Sequence, residues 1–589
     1  MLRGWLALIG SLLVSAVAVA EARMIMAPEP PHFDPRVQGE VVARADGPPP
    51  ISGGTLIALA DGHRAAMSDP DRDRLVIAEL EGSAARAIAL PARSEPGRLV
   101  EDAAGRIHVV LRGSGELATL AARDATTVSR RRVCPMPRGL TYVGTDDTVV
   151  VACRSGELVT LPAAGGEPTR TAQLDRDLRD VVVEGDHLLV SRFRSAEVLV
   201  VRDGVVSERR ALADVDHDGQ PFQNEVAWRL VARPDGGATL VHQRASRGEV
   251  VPSFGGYGSR FGGCTGIVRS AVSVSGADGN ENGPELPIAL PVDLAMRAGA
   301  DGAIDATVVV AAGEEIGTMP VVWLAGGGEG DPSACVGSAW SPRTSIPNPI
   351  AVAFTRDGRL LIQQRSPAGL IVVSADRTDE RAIDLEGDDR FDTGHAIFHA
   401  ATAANVSCSS CHPEGGDDGH VWLFSGLGAR RTPALHAVAH SAPFHWSGDI
   451  ADIDALMSEV FVNRMGGEPV DAAHARSVEG WLGHLAAPRA HPGDEAAIAR
   501  GRALFEGSAG CADCHAGPLL SNGESRDVGT GGSFQVPSLI GAADRLPLMH
   551  TGCATTMAAR FDPACGGDRH GPALDAEATA DLVAYLESL

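Results

Sequence analysis

From about Ser52 to Leu385 the chain repeats a pattern without repeating a sequence. Apolar, β-branched runs alternate with short turns of Gly, Asp or Asn, as in "GRIHVVLRGSGELATL", "DTVVVACRSGELVTL", "DHLLVSRFRSAEVLVV" and "GRLLIQQRSPAGLIVV". Each reads turn, strand, short polar turn, strand. The first three start at Gly105, Asp147 and Asp186, about forty residues apart, which is the period of a four-stranded propeller blade. With "DRLVIAEL" from Asp73, "GGATLVHQ" from Gly236, "DATVVVAA" from Asp305 and the run from Gly358, there are seven such units. The rhythm predicts an all-β, seven-bladed propeller over 51–386. Two β-sandwiches are the alternative, because they also space short strands evenly. A glycine-rich stretch between Pro252 and Pro291, holding Cys264, breaks the period and is expected to decorate one face.

Beyond Gly387 the texture changes to alanine-rich segments. "DIDALMSEVFVNRM", "VDAAHARSVEGWLGHL" and the terminal "LDAEATADLVAYLESL" carry apolar residues at helical spacing. Two all-α, cytochrome c-like domains are expected, over 387–490 and 491–589. Each holds one Cys-x-x-Cys-His run: Cys408, Cys411 and His412 in the first, Cys511, Cys514 and His515 in the second. This spacing suits covalent haem attachment. Both thiols add to the haem vinyl groups, and the adjacent histidine reaches the iron from one side. A zinc site needs four gathered ligands, and a CxxC redox pair needs no histidine. Two c-type haems are therefore expected. The sixth ligand decides whether such an iron only carries electrons or also binds oxygen species. Met549, His550, Met557 and His570 are available in the second domain, and His420, His436, His440 and His445 in the first.

The first twenty residues place Arg3 before an apolar run from Leu6 to Val14 and end in Ala18-Val19-Ala20. That is the pattern of a cleaved signal peptide, so a periplasmic or extracellular protein without a membrane span is expected, with 21–50 as an extension. Six further cysteines form an even set, and pairing neighbours in sequence gives Cys134–Cys153, Cys264–Cys335 and Cys553–Cys565. Free buried thiols are the alternative. The formal charge is −25, from 51 basic and 76 acidic residues, and every basic residue is arginine. Such a balance argues against a nucleic-acid partner.

The last 200 residues or so resemble the bacterial di-haem cytochrome c peroxidases and the related MauG-type di-haem enzymes. The resemblance lies in "CSSCHPEGGDDGHVW", "RRTPALHAVAHSAPFHWSGDIADIDAL", "GRALFEGSAGCADCHAGPLLSN", "VPSLIGAADRLPLMHTG" and "LVAYLESL". It implies that the haem at His412 is the catalytic, high-spin one and that the haem at His515 is a six-coordinate electron store. Trp446 would lie between them and help electrons cross. His570 would be the second haem's sixth ligand, with Met557 as the other candidate. Hydrogen peroxide would be the oxidant. Electrons would come from a small periplasmic donor, a cytochrome c or cupredoxin, or from a protein substrate whose side chains are oxidised. Two departures stand out. Where the peroxidases carry a carboxylate this chain has Arg464, with Glu468 nearby as a substitute; and minimal peroxidases lack the propeller. A di-haem electron carrier, or a binding protein with haems as redox sensor, are the rival functions.

One further motif is independent of the haems. "DVDHDGQPFQNE" matches an EF-hand calcium loop, with Asp214, Asp216, Asp218, Gln220 and Glu225 as ligands and Gly219 at the sharp turn. An acidic solvated loop is the alternative.

Overall fold

The computed structural model describes residues 36–589 except 122–125, 259–262, 314–319, 339, 341, 345, 437–441, 488–492 and 568. The expected signal peptide and His440 lie outside the described residues.

Among the described residues, the first part forms seven successive antiparallel sheets. Their lead strands are Leu56–Ala58, Pro96–Glu101, Pro137–Val143, Leu178–Glu184, Gln220–Ala232, Pro291–Ala298 and Pro349–Phe354. Each lead strand packs against the next, and Pro349–Phe354 packs back on Leu56–Ala58, so the sheets close a propeller-like ring. Side-chain alternation explains the ring. In Thr148–Cys153, Val149 and Val151 join Val110 and Leu117 of the preceding sheet, whereas Val150 and Ala152 join Leu178 and Val190 of the following one. A strand buried on both faces must be apolar at every position, which is why these runs read "TVVVAC" and not as strict alternation. Each such valine or leucine contributes about 1.5–3 kcal/mol by leaving water. The same cluster logic joins the seventh sheet to the first through Leu361, Leu370, Met67 and Val76. Two stacked sandwiches have no such cyclic order.

The ring's axis is polar. Arg98 on the second lead strand pairs with Asp180 on the fourth at 2.8 Å, and Arg229 on the fifth reaches both Asp180 and Asp293 on the sixth at 3.0 Å. All but Arg229 are buried.

The interruption after Pro252 is shorter than the sequence suggests. Val268–Gly276 and Gly279–Leu286 are long strands of the fifth sheet, so the interruption narrows to the segment 251–267, whose described residues, 251–258 and 263–267, carry no strand. Its Cys264 is joined to Cys335, and disulfides also join Cys134 to Cys153 and Cys553 to Cys565. The five expected calcium ligands are not gathered among the described residues. Val215–His217 and Gln220–Ala232 form a hairpin in which Asp216 shares a face with Pro221 and Gln220 leaves on the opposite one. Asp214 pairs with Arg247, Asp216 accepts from the Gly219 N–H, Gln220 donates to Ser246, Glu225 is buried against His420, and Asp218 is exposed.

The second part is built on two helix pairs, Thr393–His399 with Ala472–Leu482 and Glu495–Glu506 with Ala576–Glu587. All four helices open on an aspartate cap: Asp392, Asp471, Asp494 and Asp575. Each pair crosses at a glycine. A Cβ on Gly394 would sit 2.0 Å from the Ser477 carbonyl oxygen, and one on Gly501 would sit 1.9 Å from that of Asp581. The modules depart from the all-α expectation. Val421–Phe424 pairs with Gly428–Arg431 and Ser525–Asp527 pairs with Ser533–Gln535. The first hairpin is extended in parallel by Glu249–Val250 of the propeller part. The described part of the N-terminal extension, from residue 36 on, is tied to the second part: Val42 and Thr393 exchange hydrogen bonds, and the Pro48 carbonyl accepts from the Trp481 indole at 2.9 Å. Among the described residues, no helix is long and apolar enough to cross a membrane.

Candidate haem site

Both Cys-x-x-Cys-His runs open on one short helical turn, Cys408–Cys411 and Cys511–Asp513. A turn places residues three apart on one face, so each thiol pair looks the same way. Both pairs line a single cavity of about 520 Å³, together with His412, His515, Trp446, Arg464, Met557 and His570. These four cysteines stand outside the disulfides that join the six others described. Burial pushes the Cys408 thiol up to about 12 and the Cys411 thiol well above its ordinary value.

The residues present fit two tethered haems. His412 Nδ1 lies 3.3 Å from the Gly416 carbonyl oxygen and His515 Nδ1 lies 3.0 Å from that of Leu520. Each Nδ1–H donates there, which leaves Nε2 with the lone pair a metal needs. Burial lowers the His412 pKa to about 4 and lowers that of His515 too, so both imidazoles are neutral. Opposite His515 stands His570, its ring 6.3 Å away centroid to centroid and tilted by 24°. Burial, then Arg560, lowers the His570 pKa to about 3. Met557 is buried in the same cavity wall. Among the described residues no three His, Cys, Asp or Glu side chains gather as a zinc site would.

Trp446 sits at the seam of the two modules. Its indole donates to the Arg431 carbonyl at 2.7 Å, its own carbonyl accepts from the Gln535 N–H at 2.8 Å, and its ring lies 6.1 Å from that of His550. Arg464 ends the π-helical stretch Met457–Arg464 and is buried, ion-paired to Glu459 at 3.1 Å. Glu468 is not brought to the cavity wall; it accepts from Gln38 at 3.0 Å. Of the other first-module histidines, His445 lines the cavity with φ of 67°, a backbone region disfavoured for a residue with a Cβ. His420 is bound at 2.6 Å to Glu225 instead.

Sequence reasoning missed two residues. Glu414, two positions after His412, enters the polar end of the ring and meets Arg179 at 2.6 Å, Arg112 at 2.9 Å and Arg138 at 3.2 Å. Burial would raise its pKa, but the three guanidiniums hold it well below the usual carboxylate range. The charged "HPEGG" after the motif was the available signal. Tyr257, from the 251–267 loop, lines the cavity too, and only its place in a propeller insertion hid it.

No family model matches the chain. Among curated proteins it is similar to the methylamine utilization protein MauG of Methylorubrum extorquens, 27% identical over 33% of this chain and 76% of that protein. Among solved structures it is similar to Kuenenia stuttgartiensis hydrazine synthase, 14% identical with a TM-score of 0.44, covering 59% of this chain and 100% of that one. Dihydro-haem d1 dehydrogenase NirN is 17% identical with a TM-score of 0.35, covering 58% of this chain and 69% of that one.

Proposed function

We propose that the protein is an exported di-haem oxidoreductase, a seven-bladed propeller carrying two c-type haem modules, which reduces hydrogen peroxide or uses it to oxidise a protein substrate. The observation that carries this reading is the single cavity lined by both Cys-x-x-Cys-His runs, with Trp446 at the seam. The similarity to MauG supports the class, and three disulfides support an oxidising compartment. Cys408 and Cys411 would tether the first haem with His412 on its iron, and Cys511 and Cys514 the second with His515. The bound haems supply electron storage and the reduction of peroxide.

The two halves of the cavity are unequal. His570 stands ready opposite His515, whereas among the described residues no ring stacks on His412. That asymmetry supports exogenous ligands in the first module and electron storage in the second. Trp446 bridges the two, and Arg464 places a permanent positive charge where negative charge develops on peroxide oxygen. The electron donor is a small periplasmic cytochrome c or cupredoxin. The test is peroxide-dependent oxidation of such a reduced carrier by the loaded protein. Turnover is expected, and Trp446→Phe should slow it. A protein that passes electrons between carriers but ignores peroxide would contradict the proposal.

A further inference from the structure

The chain has only three tyrosines, and one of them reaches the cavity from the propeller side. Tyr257 lies in the 251–267 loop, and its backbone is fastened to the first haem module. Its N–H donates to the Arg464 carbonyl at 3.2 Å, and the Gly255 N–H donates to that of Asn463 at 2.6 Å. From behind, the Ile267 N–H donates to the Tyr257 carbonyl at 2.9 Å. The phenol ring lies 6.3 Å from that of Phe424, and Arg464 lines the same cavity and acts on the phenol electrostatically.

A guanidinium has donors and no acceptor, so Arg464 cannot take the phenol's hydrogen, which is left for another partner. Burial raises the phenol's pKa against the pull of Arg464, so it stays protonated at neutral pH. Glu468, the carboxylate the sequence offered, accepts from Gln38 and does not line the cavity. Arginine is a poor proton donor at neutral pH.

We propose that Tyr257 is the hydrogen-bond and proton donor to the oxygen ligand held in the first haem's cavity, so that the propeller insertion completes the active site. This rests on the function proposed above. The O–O bond of hydrogen peroxide breaks, and the departing hydroxide takes the Oη proton and leaves as water. The other oxygen keeps its hydrogen, takes two electrons from the haem pair, which the small electron carrier restores, and one proton from solvent, and becomes the second water. A second solvent proton restores the phenol, so the sum is peroxide, two protons and two electrons to two waters.

The test is Tyr257→Phe in the full-length protein with both haems attached. The variant keeps the ring and its packing, and its melting temperature should match the parent's. Two quantities are read: fluoride affinity of the ferric protein, from the visible spectrum, and the rate of reaction with peroxide. Fluoride has no proton and accepts strongly, so loss of the donor should weaken its binding about tenfold or more. The peroxide rate should fall about 100-fold. Unchanged fluoride affinity, or a parent protein that binds no fluoride at all, overturns the role of Tyr257. A parent that binds fluoride more tightly than the variant but never reacts with peroxide supports the hydrogen bond and overturns the peroxide reading.

Discussion

At the scale of single residues, Glu414 shows how a haem-binding turn is held in place. Its left-handed backbone, φ 54°, turns the chain right after His412 and sends the carboxylate among Arg112, Arg138 and Arg179. Those guanidiniums are there to be compensated, and removing one partner of a buried pair leaves charge stranded at a cost of about 3–5 kcal/mol. Glu414→Gln should lower stability by about that amount in urea unfolding; a loss under about 1 kcal/mol would show that the cluster relaxes around the change. His570 allows a sharper reading. His570→Gly should convert the second haem to a high-spin spectrum, while Met557→Leu leaves it low-spin. The opposite pattern would move the ligand to Met557.

Among elements, the seven sequence units starting at Asp73, Gly105, Asp147, Asp186, Gly236, Asp305 and Gly358 fall in seven different sheets. They were legible because Gly and Asp turns punctuate strands whose two-faced burial forces continuous valine and leucine. The helix pairs were legible for a different reason: aspartate caps and three- and four-residue apolar spacing mark Ala472–Leu482 and Ala576–Glu587 directly. Acidic spacing at Asp214–Glu225 misled, because the same glycine that sharpens an EF-hand loop also makes the tight turn of a hairpin at Asp218-Gly219. Chelation of calcium should therefore leave the melting temperature unchanged, and a fall of several degrees on adding a chelator would restore the calcium reading. Glu468 and Tyr257 show where sequence stops. Which of two nearby side chains enters a cavity depends on contacts hundreds of positions away, such as Gln38 to Glu468 and Tyr257 to Arg464.

For the whole molecule, the decisive feature is that charged pairs cross from the ring to the haem modules. Arg194 meets Asp417 at 2.9 Å, Arg176 meets Glu587 at 3.0 Å and Glu225 meets His420 at 2.6 Å. Haem absorbance and far-ultraviolet dichroism should accordingly report one shared thermal transition; two separated transitions would show independent parts. The Glu225–His420 contact also sets a pH dependence. Burial opposes the charge on His420, but Glu225 outweighs it and raises the pKa to about 9, while burial and Glu225 raise Asp418 to about 7. A histidine raised above its ordinary 6.5 contributes stability that is full below that value and lost as pH climbs through 9. A carboxyl raised above 3.8 acts with the same sign, losing its contribution as pH climbs through 7. The melting temperature should thus fall between about pH 4 and pH 9, first through Asp418 and then through His420, and Glu225→Gln should flatten the fall. The central claim is that two haems in one cavity act as a unit, and it is tested most directly by adding one equivalent of peroxide to the ferric, doubly loaded protein while recording the visible spectrum. Bands of both haems should change together, although only one binds fluoride. Spectra that stay unchanged, even after one-electron reduction, or a change confined to a single haem, would contradict it.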